Sequence, residues 1–120
     1  MTQMSPQPKH LKIPLEQAHI LLSNDDGVAA DGLQSLLRIA QSLSQSVTIS
    51  APEFEQSGAG HSLTTRRPLR VRDLGKDIYA VDGTPTDAVL IAVTQILRGN
   101  RPDLVLSGVN RGGNMGEDVT

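Results

Sequence analysis

Apolar residues in this chain come in short runs, and each run gives way abruptly to polar residues and glycine. Ile20-Leu21-Leu22, followed by Ser23-Asn24-Asp25-Asp26-Gly27, reads as a buried strand over His19 to Ser23 that ends in two adjacent carboxylates. Asp31-Gly32-Leu33-Gln34 predicts a helix start, with Asp31 as N-cap and Gln34 at N3. Leu33, Leu36, Leu37, Ala40 and Leu43 then form one apolar stripe at helical spacing. Val47-Thr48-Ile49-Ser50 is a short β-branched second strand. Strand, helix, strand is the unit of a parallel α/β sheet.

The same alternation continues to the end. Arg66 to Asp73 sets Leu69 and Val71 among four arginines, the pattern of an amphipathic edge strand with solvated charges. Ile78-Tyr79-Ala80-Val81 is another short strand. Gly83-Thr84-Pro85-Thr86-Asp87 signals a helix start, with Thr84 as N-cap, Pro85 at N1 and Asp87 at N3. That helix is expected to reach about Arg98, with Val89, Ala92, Val93 and Ile96 inward. Leu104-Val105-Leu106-Ser107 reads as a buried strand leading into the glycine-rich stretch Gly108 to Gly116. Residues 1–18 read as a flexible leader and 19–120 as part of one α/β domain.

Composition narrows the partners. A net charge of −2 gives no electrostatic reason to expect nucleic acid or an anionic membrane. With no cysteine there is no disulfide framework, zinc–thiolate site or thiol nucleophile. The longest apolar run, Ala88 to Val93, is far short of a membrane span, and no signal peptide opens the chain. A cytoplasmic protein is the expectation. One Phe, one Tyr and no Trp imply an aliphatic core and argue against aromatic platforms for stacking bases.

Candidate chemistry gathers where strands end, the edge at which open α/β sheets bind ligands. Two carboxylates about 4 Å apart repel by about 4 kcal/mol at an effective dielectric of about 20. A fold tolerates Asp25 beside Asp26 if a hard cation sits between them, if one is protonated, or if the pair is a solvated turn. Ser57 in Gln56-Ser57-Gly58 offers a hydroxyl to a metal or phosphate, or is one residue of a surface loop. His61 is a general-acid candidate by type and a surface residue by default. The glycines after Ser107 suit a nest of backbone N–H groups for phosphate. Asn110 and Asn114 add amides, although neither the P-loop nor the dinucleotide fingerprint is matched.

Taken together, Ile20 to Gly27, Ala51-Pro52, Ser57-Gly58-Ala59, His61-Ser62-Leu63-Thr64, Gly83 to Asp87 and Ser107 to Asn110 with Asn114, Gly116 and Asp118 resemble the SurE family, metal-dependent 5'-nucleotidases. The resemblance covers residues 19–120. It implies a Rossmann-like three-layer α/β sandwich with a mainly parallel sheet. It also implies one divalent cation, Mg²⁺ or Mn²⁺, held by Asp25, Asp26, Ser57 and Asn110. Asp25, Asp26 and Asn110 would be catalytic, and Asn24, Gly58, Ser107, Gly108 and Asn114 would line the phosphate pocket. The substrate would be a nucleoside monophosphate, and the full-length protein a homo-oligomer, dimer or tetramer, with no nucleic-acid or membrane partner.

The family's phosphate-binding Ser-Gly-Thr segment and oligomerising arm have no counterpart here, so the chain reads as an amino-terminal part. Residues 1–120 alone are expected to bind metal weakly, lack nucleotidase activity and associate through an apolar sheet edge. A signalling receiver domain also places an acidic pair after its first strand. It further needs a phospho-accepting Asp after the third strand, where Asp82 lies late, and a Lys after the fifth, where none follows Lys76. A non-catalytic nucleotide-binding module is the third reading.

Overall fold

The computed structural model describes residues 13–56 and 62–108. Five strands form one sheet in the order β3-β4-β2-β1-β5. These are β1 (His19–Asn24), β2 (Ser46–Pro52), β3 (Val71–Gly75), β4 (Ile78–Val81) and β5 (Leu104–Gly108). β1 is parallel to both β2 and β5, β2 is parallel to β4, and β3 alone runs antiparallel, against β4. Helix α1 (Asp31–Leu43) links β1 to β2, and α2 (Pro85–Ile91) leads from β4 toward β5, continuing as a π-helical turn over Ala92–Ile96.

The alternation of side chains along a strand sorts β1 between two cores. Ile20 and Leu22 join Leu33, Ala40, Ile49 and Ala51 beneath α1. Leu21 packs with Ala92 and Leu97 beneath α2 and its continuation. A sheet covered on both faces leaves its central strands with continuous apolar runs, and every residue of β1 is buried. The result is the three-layer α/β arrangement expected of the sequence.

Several local expectations shift. Asp31 is the first residue of α1 rather than its cap; Ala30 caps it in extended backbone (φ −68°, ψ 145°) without a side-chain hydrogen bond. The Asp31 charge therefore serves the positive end of the helix dipole. Leu15–Gln17 form a short 3₁₀ turn, Leu15 packs on the α1-side core, and Ala18 is fully buried, so order begins before the expected leader ends. The edge strand starts at Val71, not Arg66, because Arg70 N–H is spent on the Asp82 carboxylate. It turns into β4 through Lys76 and Asp77, both at positive φ, the geometry that matches hairpin twist.

β5 is half-buried rather than buried. Leu104 and Leu106 pack on the α1-side core, while Val105 on the opposite face is 43% exposed. Among the described residues β5 pairs only with β1, so it lies at the edge of the sheet.

Candidate active site at the carboxyl edge of the sheet

β1, β2, β4 and β5 all point their carboxyl ends the same way, because they are mutually parallel. Ser23 is level with Ser107, and Asn24 with Gly108. The turn carrying Asp25 and Asp26 therefore leaves the sheet beside the end of β5.

That turn is tightly braced. Asn24 is buried, and its side chain closes on the main chain of Gly27 from both sides. Its Oδ1 accepts from Gly27 N–H at 3.2 Å, and its Nδ2 donates to Gly27 O at 3.0 Å. Gly27 sits at φ +109°, where a side chain would strain the backbone. It also abuts the segment after β2, since a Cβ there would lie 3.3 Å from the carbonyl carbon of Phe54. Two main-chain bonds weld turn and segment together: Val28 N–H to Pro52 O at 2.7 Å, and Gln56 N–H to Asp25 O at 2.8 Å.

Within this frame the Asp25 carboxylate is poorly served. Its Oδ1 is shut off from solvent and has no hydrogen-bond partner among the described residues. Burial pushes the carboxyl above its ordinary value; the charge of Asp26 pushes the same way, and that of Glu55 adds a little more, against a lowering backbone hydrogen bond. Buried oxygens are nearly always paired, so an orphaned carboxylate oxygen beside a second carboxylate is the donor chemistry a hard cation satisfies. Asp26 lines a cavity of about 290 Å³ with Ala30, Asp31, Gly32 and Glu55. Among the described residues no three His, Cys, Asp or Glu side chains converge as a metal-binding group. Asp25 and Asp26 are the described half of the expected ligand set. Ser57, Gly58, His61, Asn110 and Asn114 lie outside the described residues, although Ser57 directly follows the anchored Gln56. Ser107 and Gly108 are the last two residues of β5.

One further buried residue sits at this edge. Ser23, the last residue of the strand expected from the sequence, carries the other buried side-chain oxygen that has no hydrogen-bond partner among the described residues, its Oγ. No run or spacing in the sequence distinguishes it, because the elements packed against a buried hydroxyl decide whether it finds a partner.

The start of α2 forms a second braced junction. Thr84 Oγ1 accepts from Asp87 N–H at 3.0 Å, while Asp87 Oδ2 accepts from Thr84 N–H at 2.8 Å, completing the predicted capping box. The same carboxylate accepts Thr64 N–H at 2.8 Å and Thr64 Oγ1–H at 2.6 Å. Thr84 Oγ1 donates onward to Ser62 O at 2.6 Å. Burial pushes Asp87 up, but these hydrogen bonds outweigh it and hold the carboxyl below its ordinary value of 3.8. Asp82 accepts from Arg70 N–H and pairs with Arg67 at 3.1 Å, so it is a structural turn residue. Asp82, the residue a receiver domain would need as its phospho-acceptor, is thus engaged by Arg67 and Arg70, and the sequence has no Lys after Lys76.

Known proteins resemble this chain in sequence and fold. The family model described as "Survival protein SurE" matches residues 20–120. The "5'-nucleotidase SurE" of Paramagnetospirillum magneticum is 64% identical over 101 residues, covering 84% of this chain and 39% of that protein. That of Rhodospirillum rubrum is 59% identical over 105 residues, covering 88% and 40%. The crystal structure of the SurE protein from Aquifex aeolicus superposes with a TM-score of 0.73 at 46% identity, covering 83% of this chain and 40% of that one. The chain thus spans about two fifths of the length of the curated relatives it matches. Among the described residues no helix is long and apolar enough to cross a membrane. Over residues 20–120, which hold the paired carboxylates at the end of β1 and the capped start of α2, the chain belongs to the survival protein SurE family.

Proposed function

We propose that this chain carries the metal-binding edge of a 5'-nucleotidase that hydrolyses nucleoside monophosphates to nucleoside and phosphate. The carrying observation is the buried, unpartnered Oδ1 of Asp25 beside Asp26, in a chain 64% identical to a protein named for that activity. Asp25 and Asp26 supply the anionic oxygens for one Mg²⁺ or Mn²⁺, with Ser57 and Asn110 as neutral donors. Such an ion, when bound, neutralises charge on a phosphate oxygen and acidifies a water. Asn24 acts through Gly27 by keeping the aspartate turn in shape. Gly108, level with Asn24, brings the end of β5 to the same edge. Ser107 and Gly108 are suited to hold the phosphate there through short polar groups and backbone N–H, with Gly58 and Asn114 added to them by the family resemblance. The protein acts in the cytoplasm as a homo-oligomer.

Phosphate release from nucleoside monophosphates by the protein expressed from its complete reading frame, measured in chelator and after adding back Mg²⁺ or Mn²⁺, tests this. Activity should be metal-dependent, and Asp25→Asn should lower it more than about a hundredfold. Undiminished activity in chelator would remove the metal from the mechanism. No phosphate release in either condition would leave only a binding module.

A further inference from the structure

We infer that Phe54 is a specificity-determining residue that stacks on the base of the nucleotide, an inference that rests on the nucleotidase reading above. Phe54 is the only phenylalanine of the chain and is 71% exposed. Single exposed apolar residues are ordinary on protein surfaces. Two features set this one apart.

The first is position. The Phe54 carbonyl carbon and Cα lie 3.3 and 3.5 Å from where a Gly27 Cβ would be, so its backbone touches the turn that carries Asp25 and Asp26. The second is rigidity. The chain on one side of Phe54 is held by Glu53 N–H to Val81 O at 2.7 Å, and on the other by Gln56 N–H to Asp25 O at 2.8 Å. Glu53 also pairs with Arg72. The ring belongs to neither apolar core.

An exposed ring on a fixed backbone has only two side-chain torsions to immobilise, so it offers contact area at low entropic cost. A nucleoside monophosphate is a molecule with two unlike ends. Its phosphate suits the hard oxygens at Asp25 and Asp26, and its base needs a π-face close by but outside that charged centre. Phe54 supplies one such face. The scarcity of aromatic residues argues against a platform for successive bases of a strand, whereas a single ring suits the one base of a mononucleotide.

The test uses the protein expressed from its complete reading frame, with AMP, GMP, CMP and UMP as substrates and inorganic phosphate as a base-free inhibitor. Phe54→Ala should lower kcat/KM for the preferred nucleotide by roughly tenfold, the usual consequence of losing one stacked base. The inhibition constant of phosphate and the melting temperature should not move. Phe54→Tyr should retain wild-type kinetics, and Phe54→Leu should behave as the alanine variant. If wild type hydrolyses nucleotides but Phe54→Ala is unchanged, or weakens nucleotide and phosphate alike, the stacking role is wrong and the nucleotidase reading stands. A wild-type protein that releases no phosphate from any of the four nucleotides overturns both.

Discussion

Gln56 donates its peptide N–H to the carbonyl of Asp25 at 2.8 Å, joining the segment after β2 to the turn after β1 across 31 residues of sequence. The carboxylate turn is therefore part of a two-loop unit whose close approach is possible because residue 27 is glycine. Gly27→Ala would place a Cβ at φ +109° and 3.3 Å from the Phe54 backbone. It should cost about 1–3 kcal/mol of stability and weaken divalent-ion binding. Gly32→Ala is the control, since nothing lies within 4 Å of its Cβ position on α1. It should be neutral or stabilising by up to about 1 kcal/mol. Thermal melts with a Mn²⁺ titration read both; equal behaviour of the two variants would refute the close-approach argument.

Asp25→Asn separates folding from ion binding. Removing one of two adjacent charges should raise the melting temperature of the chelated protein. Wild type should gain about 2.7 kcal/mol at an ion concentration one hundred times its Kd, and the variant should gain almost none. An ion-induced shift of equal size in both proteins would mean the cation binds elsewhere.

Asp87 ties Thr64 to the start of α2, so Asp87→Ala should cost about 2–3 kcal/mol by stranding buried donors. Its folded carboxyl lies below the ordinary 3.8, so its stabilisation is complete above that value and is lost as pH falls through the lower one. The stability gap between wild type and variant should be constant from pH 5 upward and close below about pH 4. Urea midpoints across pH measure it; a gap that persists unchanged into strong acid contradicts the assignment.

Gly83 gives the same junction a steric test. A Cβ there would lie 2.5 Å from Asp87 Oδ2 and 3.0 Å from Leu69 Cδ2. Gly83→Ala should destabilise by about 1–3 kcal/mol, and less in an Asp87→Ala background, where the nearest obstacle is gone. Additive losses in the double variant would argue against the clash.

What the sequence determined by itself was local. Short continuous apolar runs marked the strands, because a strand covered on both faces is apolar throughout, and the stripe from Leu33 to Leu43 marked a helix, because burial of one helix face leaves a periodic trace. Thr84, Pro85 and Asp87 marked the start of α2, because a capping box is closed by residues three apart. The SurE motifs named the family for the same reason, being strings of neighbours. Tertiary structure decided what depends on distant parts of the chain. Asp87 was legible as a cap but not as the anchor of Thr64, 23 residues earlier. Asp31 looked like a cap, yet Ala30 holds that place, after a turn in which Ala30 N–H bonds Gly27 O and Val28 N–H bonds Pro52 O, 24 residues on. The orphaned oxygens of Ser23 and Asp25, and the exposure of the one phenylalanine beside them, have no periodic signature. They follow from which loops the parallel sheet brings to its carboxyl edge, and only packing across the strands sets that.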